Sequence, residues 1–166
     1  MNIEFAVRQN EPLWIDPLGI LRADHRRIEQ CFGLYRETEN AALSVSLIQD
    51  IVQAVNLHLD IEEAIFYPAY SQATGDKWRH RRWLGEHAAV RKLLTDIVYA
   101  DPGDESLEYS LADLARRILS HIREEESESG AFHEISRASV DLDTLSCRLG
   151  HYRDNRIATA MQGQRR

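Results

Sequence analysis

The chain has 166 residues, with 20 Lys and Arg against 27 Asp and Glu and a formal net charge of -7. That length holds one domain with a real core and is short for two, and the acidic balance argues against a nucleic acid or an anionic membrane as partner, since either needs a basic face. The two cysteines, Cys31 and Cys147, sit far apart, which fits neither a disulfide framework nor a thiolate zinc site and points to a reducing cytoplasm.

Residues 1–10 mix charges with apolar side chains and lack the basic start and apolar run of an export signal, and no stretch reads as long enough to span a membrane. Asp16 before Pro17 is a helix start, an N-cap followed by a residue favoured in the first turn. The first predicted helix runs to about Thr38, with Leu18, Leu21, His25, Ile28, Phe32 and Tyr35 stepping by three and four residues as one packed face does. A short connection over 40–46 leads to the second, whose stripe is Ile48, Ile51, Val55, His58, Glu62, Ile65 and Ala69. Pro68, which has no N–H, should kink or end it.

Gly75 and Asp76 open the third helix, with His80, Trp83, His87, Val90, Leu94 and Ile97 on its stripe. Asp101-Pro102-Gly103-Asp104 is a strong turn signal. The fourth helix begins near Ser106 and carries Leu107, Leu111, Leu114, Ile118, His121 and Glu125, with Phe132 beyond. Past Ser136, Leu142, Leu145, Leu149 and Tyr152 predict a further helix, packed outside the bundle or forming a homodimer with a second copy. Gln164, Arg165 and Arg166 read as a solvated tail. With no strand pattern, the expected fold is all-α: an antiparallel up-down-up-down four-helix bundle over residues 16–135 and a C-terminal helical extension and tail over 136–166.

Every bundle stripe is interrupted by ionisable residues: His25, His58 and Glu62, His87, and His121 and Glu125. A dry core does not tolerate such groups unpaired. At roughly 1.5 Å per residue, His25 and His58 stand about 13 and 14 residues from the first connection and His87 and His121 about 13 and 15 from the last, so the six share one level to within about two turns. His58 and Glu62, and again His121 and Glu125, are four apart, which puts an imidazole and a carboxylate side by side on one face. Four imidazoles and two carboxylates without a thiolate suit iron, with zinc or manganese less favoured, and six ligands suggest two ions.

Taken singly, each signal has a blander reading. A histidine on a bundle stripe is more often a hydrogen-bonded core residue, and a His-x3-Glu pair is commonly a weak surface ion pair. Coincidence in phase with the apolar stripes turns the balance toward metal. Glu63 and Glu126 are alternatives to their neighbours Glu62 and Glu125, which the stripes favour. His80, roughly 10 Å along the helix from His87, reads as a boundary or pocket-entrance residue, and His133 and His151 as surface residues. Ferritin-like bundles repeat Glu-x-x-His, yet the residues three before the four histidines are Arg22, Val55, Leu84 and Ile118. A haem would leave both glutamates unexplained.

The segments Asp24-His25, His58-Leu59-Asp60-Ile61-Glu62-Glu63 with Ile65-Phe66-Tyr67-Pro68, Glu86-His87, and His121-Ile122-Arg123-Glu124-Glu125-Glu126 resemble the hemerythrin-like HHE cation-binding domain over about residues 16–135. The resemblance implies a bundle holding a non-haem di-iron centre bridged by carboxylates and oxo or hydroxo groups. His25, His58, His87 and His121 would be terminal ligands, and Glu62 and Glu125 bridges. Oxygen-carrying members of that family have a second histidine on the third helix where this chain has Trp83, and five-residue spacing on the fourth helix where this chain has four. Plain oxygen transport is therefore not the expectation. The expected activity is binding or sensing of a small ligand such as O2 or NO beside residues such as Phe32, Trp83 and Phe66. The alternatives are redox turnover of peroxide, O2 or NO at the open iron, and iron handling or a structural metal bundle.

Overall fold

The computed structural model describes residues 16–101 and 104–163. The readings given for residues 1–10, for Pro102 and Gly103 and for the tail Gln164, Arg165 and Arg166 lie outside them. Helix α1 (Pro17–Glu37) starts where Asp16 Oδ1 accepts from the Leu18 N–H at 3.0 Å. Helix α2 (Ala41–Ile61) starts directly after Asn40, whose Oδ1 accepts from the Leu43 N–H at 3.0 Å. This side-chain cap satisfies a free donor of the first turn, so the connection expected over 40–46 closes earlier. A π turn (Glu62–Phe66) and α3 (Tyr67–Thr74) continue the same rod.

Gly75, with φ of 78°, ends that rod in the left-handed conformation that a residue without Cβ adopts freely. Asp76 then caps α4 (Lys77–Tyr99), accepting from the Arg79 N–H at 2.8 Å, and Asp104 caps α5 (Glu105–Glu126). α1 packs on α2 and α4 on α5, as short connections between antiparallel helices require. Two further helices, α6 (Ala131–Arg137) and α7 (Leu142–Gly163), close one end and one side. α7 lies against α1 and α2 and buries Leu145 and Leu149, so the stripe that suggested a second copy is used on the chain's own bundle. No strand occurs among the described residues.

Pro68 neither ends nor breaks the second rod. A proline ring inside an α-helix collides with the carbonyl four residues earlier, here that of Ala64, and the wider π turn just before it opens the backbone at that place. The Tyr67 N–H bonds to the Glu62 carbonyl five residues back. Because the π turn takes about one more residue than an α turn, the buried stripe advances. Phe66, Tyr67 and Tyr70 face inward, and the expected Ile65 and Ala69 are only partly buried at the edge. The unbroken stretch Ala41–Thr74 spans 34 residues and is long and apolar enough, by length and composition alone, to cross a membrane. This differs from the expectation that no stretch is long enough to span a membrane, although the rod's His58 and Glu62 are fully buried in the bundle.

The core has two apolar halves. Ile28, Phe32, Ile51, Val55, Val90, Leu94, Leu114 and Ile118 belong to one, and Leu21, Ile61, Phe66, Tyr67, Trp83, Phe132 and Ile135 to the other. His25, His58 and His87 each fall in sequence between a residue of one half and a residue of the other. The ionisable layer thus lies between two dry blocks, in each of which a large apolar side chain contributes about 1.5–3 kcal/mol on burial.

Gly130 joins α5 to α6 with an extended backbone, so its requirement is space and not a special φ. A Cβ there would run into the backbone carbonyls of Glu124 and Glu125. Gly130→Ala should therefore cost about 1–3 kcal/mol through overpacking. Gly33→Ala, inside α1 with nothing within 4 Å of the added Cβ, should gain about 0.5–1 kcal/mol. Urea midpoints of the two variants would show this opposite pair of shifts, and equal midpoints would contradict the close approach.

Candidate metal centre

Helical spacing carries all six ionisable side chains to one place. His25, His58, Glu62 and Glu125 present ligand atoms that all lie within 4.8 Å of one another, and Glu62, His87 and His121 do the same. Glu62 is common to both groups. Its Oε2 lies 3.3 Å from His58 Nε2, 3.3 Å from His121 Nε2 and 3.4 Å from His87 Nε2, while Oε1 lies 3.9 Å from His25 Nε2. Glu125 Oε2 is 3.5 Å from both His25 Nε2 and His121 Nε2. All six residues are at most 5 % exposed, which places them out of reach of solvent screening.

The neighbouring carboxylates take another part. Glu126 Oε1 sits 2.6 Å from His25 Nδ1 and is held by Arg26 at 2.7 Å. Glu63 Oε1 sits 3.0 Å from His87 Nδ1 and is held by Arg91 at 3.2 Å. Each acidic pair therefore sends its first carboxylate inward and its second to the back of an imidazole, an arrangement that fixes the tautomer and aims the other nitrogen at the centre. His121 Nδ1 faces Glu86 at 3.9 Å, too far for a hydrogen bond. Farther out, Arg153 of α7 donates to the buried Asp24 at 2.9 Å, and Arg156 pairs with Asp60, which Arg91 also holds at 2.8 Å. The C-terminal helix is thus tied to the carboxylates beside His25 and Glu62.

Tyr67 is the residue of this layer that stripe reading missed. Its hydroxyl lies 2.9 Å from Glu62 Oε2, 3.1 Å from Glu125 Oε1, 3.0 Å from His87 Nε2 and 3.3 Å from His121 Nε2. One hydroxyl proton cannot satisfy all four, so the oxygen sits where a ligand atom would. Only the π turn brings a residue five after Glu62 onto the same face, and the sequence hint was a proline inside an otherwise helical run. Trp83 does not reach the centre. Its ring stacks on Tyr67 with centroids 4.8 Å apart and planes 22° apart, so the tryptophan packs behind the phenol.

Of the residues expected beside a small ligand, Phe66 and Trp83 pack around Tyr67, whereas Phe32 belongs to the other half of the core. His80 is partly buried with its ring 5.9 Å from Tyr67. His133 and His151 are exposed.

Electrostatics show how poorly these groups satisfy one another. Burial pushes His58 well below the usual imidazole range, leaving it neutral. Burial also opposes charge on Glu62, but His58 and then hydrogen bonds with His121, His25 and His87 hold its carboxyl well below the usual value. Glu125 is pushed up to about 7 by burial and the nearby Glu62. For His25, burial acts downward and is outweighed by Glu125 and Glu62, which raise it to about 10. Burial raises the Tyr67 phenol, and Glu125 and Glu62 raise it further.

Even so, His25 Nε2, His58 Nε2, Glu62 Oε1 and Glu125 Oε2 are buried with no hydrogen-bond partner among the described residues. Four unpaired polar atoms in one layer would each cost about 1–3 kcal/mol. Their convergence, with neutral imidazoles and carboxylates as donors, fits divalent or trivalent metal ions bound through nitrogen and oxygen.

Metal uptake requires neutral imidazoles and charged carboxylates. At pH 7 the metal-free His25, at about 10, holds a proton and Glu125, at about 7, holds about half of one. Binding at pH 7 should therefore release protons, and affinity should fall as pH drops because more protons must be displaced. Calorimetry in buffers of different ionisation enthalpy would read the release, and one enthalpy in every buffer would contradict it. Glu126→Ala should weaken metal binding by about 10–100-fold by freeing the His25 ring, measured by competition with a chelator.

Comparison with known proteins agrees with this geometry. A family model described as the Hemerythrin HHE cation binding domain matches residues 16–130, a span that contains all six ionisable residues and Tyr67. No curated protein and no solved structure matches the chain. The match covers more than half of the chain and its buried His and Glu cluster can hold metal, so this chain belongs to the hemerythrin family of HHE cation-binding domains.

Proposed function

We propose that the protein is a non-haem di-iron protein that binds or senses a small ligand such as O2 or NO. The observation that carries this reading is the shared position of Glu62 between two clusters of buried ligand atoms, which suits a carboxylate lying between two adjacent ions. His25, His58 and Glu125 would hold one iron with Glu62. His87 and His121 would hold the other with Glu62, and Tyr67 would supply the oxygen donor that Trp83 denies as an imidazole. Donors limited to nitrogen and oxygen favour iron over softer ions, with zinc and manganese as outcomes of the test. When bound, ferrous iron would supply electrons and an open coordination position for the small ligand.

The residues themselves keep water away and set the protonation of the site. Phe66 and Phe132 wall it on one side, Phe132 lying parallel to His25 at 5.4 Å, and Trp83 walls it on the Tyr67 side. Glu63 and Glu126 keep His87 and His25 turned inward. A cytoplasmic setting belongs to the same proposal, since Cys31 and Cys147 are both free. Redox turnover of peroxide, O2 or NO is the second reading. It is favoured by the Tyr67 hydroxyl, which places an O–H donor within 3.1 Å of Glu62 and Glu125 inside the layer.

His58→Ala and Glu62→Ala should each lower the iron retained by the purified protein markedly, whereas His151→Ala should leave it unchanged. Equal iron content in all three variants would refute the ligand assignment. The reduced iron-loaded protein should change its visible spectrum on exposure to O2 or NO, and Tyr67→Phe should remove any phenolate-to-ferric absorption. A spectrum indifferent to both gases would sink the sensing reading.

A further inference from the structure

An unbroken path of oxidisable rings leads out of the centre through Tyr67, Trp83 and Tyr70. Tyr67, with its hydroxyl among the ligand atoms, stacks on Trp83 at 4.8 Å, and Trp83 meets Tyr70 edge-on at 5.0 Å. All three rings are fully buried. The Tyr70 hydroxyl donates to Glu134, a carboxylate about one-third exposed at the surface, and Arg79 bonds both the Tyr70 oxygen at 3.1 Å and Glu134 at 2.7 Å. Beside His25 the rings are phenyl: His25 stacks on Phe132, and Phe132 meets Phe66 edge-on. Phenyl rings give up an electron far less readily than phenol or indole, so that side offers no comparable path.

We propose that Trp83 and Tyr70 form a relay that carries single oxidising equivalents from the metal centre to the protein surface, with Glu134 as the proton acceptor. The proposal rests on the di-iron reading above and adds a function for the residue that replaces an expected ligand. Three local features suit the relay. The Trp83 Nε1–H has no hydrogen-bond partner among the described residues, so an indole that loses an electron keeps its proton and is ready to be re-reduced. The Arg79 guanidinium lies 5.9 Å from the Trp83 ring and disfavours positive charge there, which drives the vacancy onward. At Tyr70 the vacancy comes to rest, because the phenol can pass its proton to Glu134 and become a neutral radical.

The step balances. An electron leaves Tyr70 for the Trp83 radical cation while the Tyr70 O–H bond breaks and its proton joins the Glu134 carboxylate, giving neutral Trp83, a neutral tyrosyl radical and a carboxylic acid. The oxidant is hydrogen peroxide in excess of the electrons held by the iron pair. Its O–O bond breaks, and two electrons and two protons convert it to two waters. The ultimate reductant is a small donor of the enediol, phenol or thiol class. It returns an electron to Tyr70 while Glu134 returns the proton, so two donor X–H groups and one peroxide give two donor radicals and two waters. Without this exit the same oxidising equivalents would fall on the buried imidazoles.

The test uses the full-length iron-loaded protein, with iron content measured before excess hydrogen peroxide is added and samples frozen for electron paramagnetic resonance. Wild type should give a tyrosyl radical. Tyr70→Phe should lose it, and Glu134→Gln, a change at the partly exposed end that spares the core, should lower its yield several-fold at unchanged iron content. Peptide mass spectrometry should then show more oxidation of His87 and His121 in Tyr70→Phe than in wild type. Equal radical yields in wild type, Tyr70→Phe and Glu134→Gln would overturn the relay. Retained iron with no radical would overturn it while leaving the di-iron reading in place, and failure to retain iron would overturn both.

Discussion

The structure is organised around a layer of ionisable side chains that cannot satisfy one another. Two carboxylates and four imidazoles are enclosed at no more than 5 % exposure, and nitrogen and oxygen atoms from both kinds of side chain are left without partners. A layer of this kind is tolerable only when something removes the unpaired polarity, whether bound protons or bound cations. The rest of the bundle keeps the layer level and closed. Apolar blocks above and below exclude water, and salt-bridged carboxylates behind His25 and His87 stop the rings from turning away.

Most of that layer was legible in the sequence because a regular α-helix makes face and spacing equivalent. The six residues fall in phase with Leu21, Ile28, Val55, Val90 and Ile118, and the bundle that these stripes imply is the one that forms. Turn chemistry was equally legible at Asp16 and Asp76, where capping geometry follows from side-chain type, whereas Gly75, read as opening the third helix, closes the rod before it. What escaped was whatever depends on a single residue of phase. After Glu62 the register moves, so Ile65 and Ala69 stood in for Phe66, Tyr67 and Tyr70. Choosing between adjacent glutamates presents the same difficulty. Glu62 and Glu63 differ by one residue on the helix, yet there the apolar stripe favoured Glu62, whose carboxylate turns inward while that of Glu63 lies behind His87.

The C-terminal helix also gains meaning from these contacts. Its leucines complete the apolar block beside the site, and its arginines grip Asp24 and Asp60, which lie one and two residues from the buried His25 and Glu62. It lies beyond the stretch that matches the family model, yet it contributes to the wall and the charge balance of the centre that the family shares.

The π turn sets a limit on how such a centre can diverge. Point substitutions at position 67 can change what chemistry is offered to the layer, but they cannot change which residue is offered, because that is decided by the one extra residue in the turn from Glu62 to Phe66. Only an insertion or deletion, or a relaxation of the turn to regular helix, would withdraw the side chain and rotate Phe66 and Tyr70 with it. The phenol is in this sense written into the length of the helix as well as its letters.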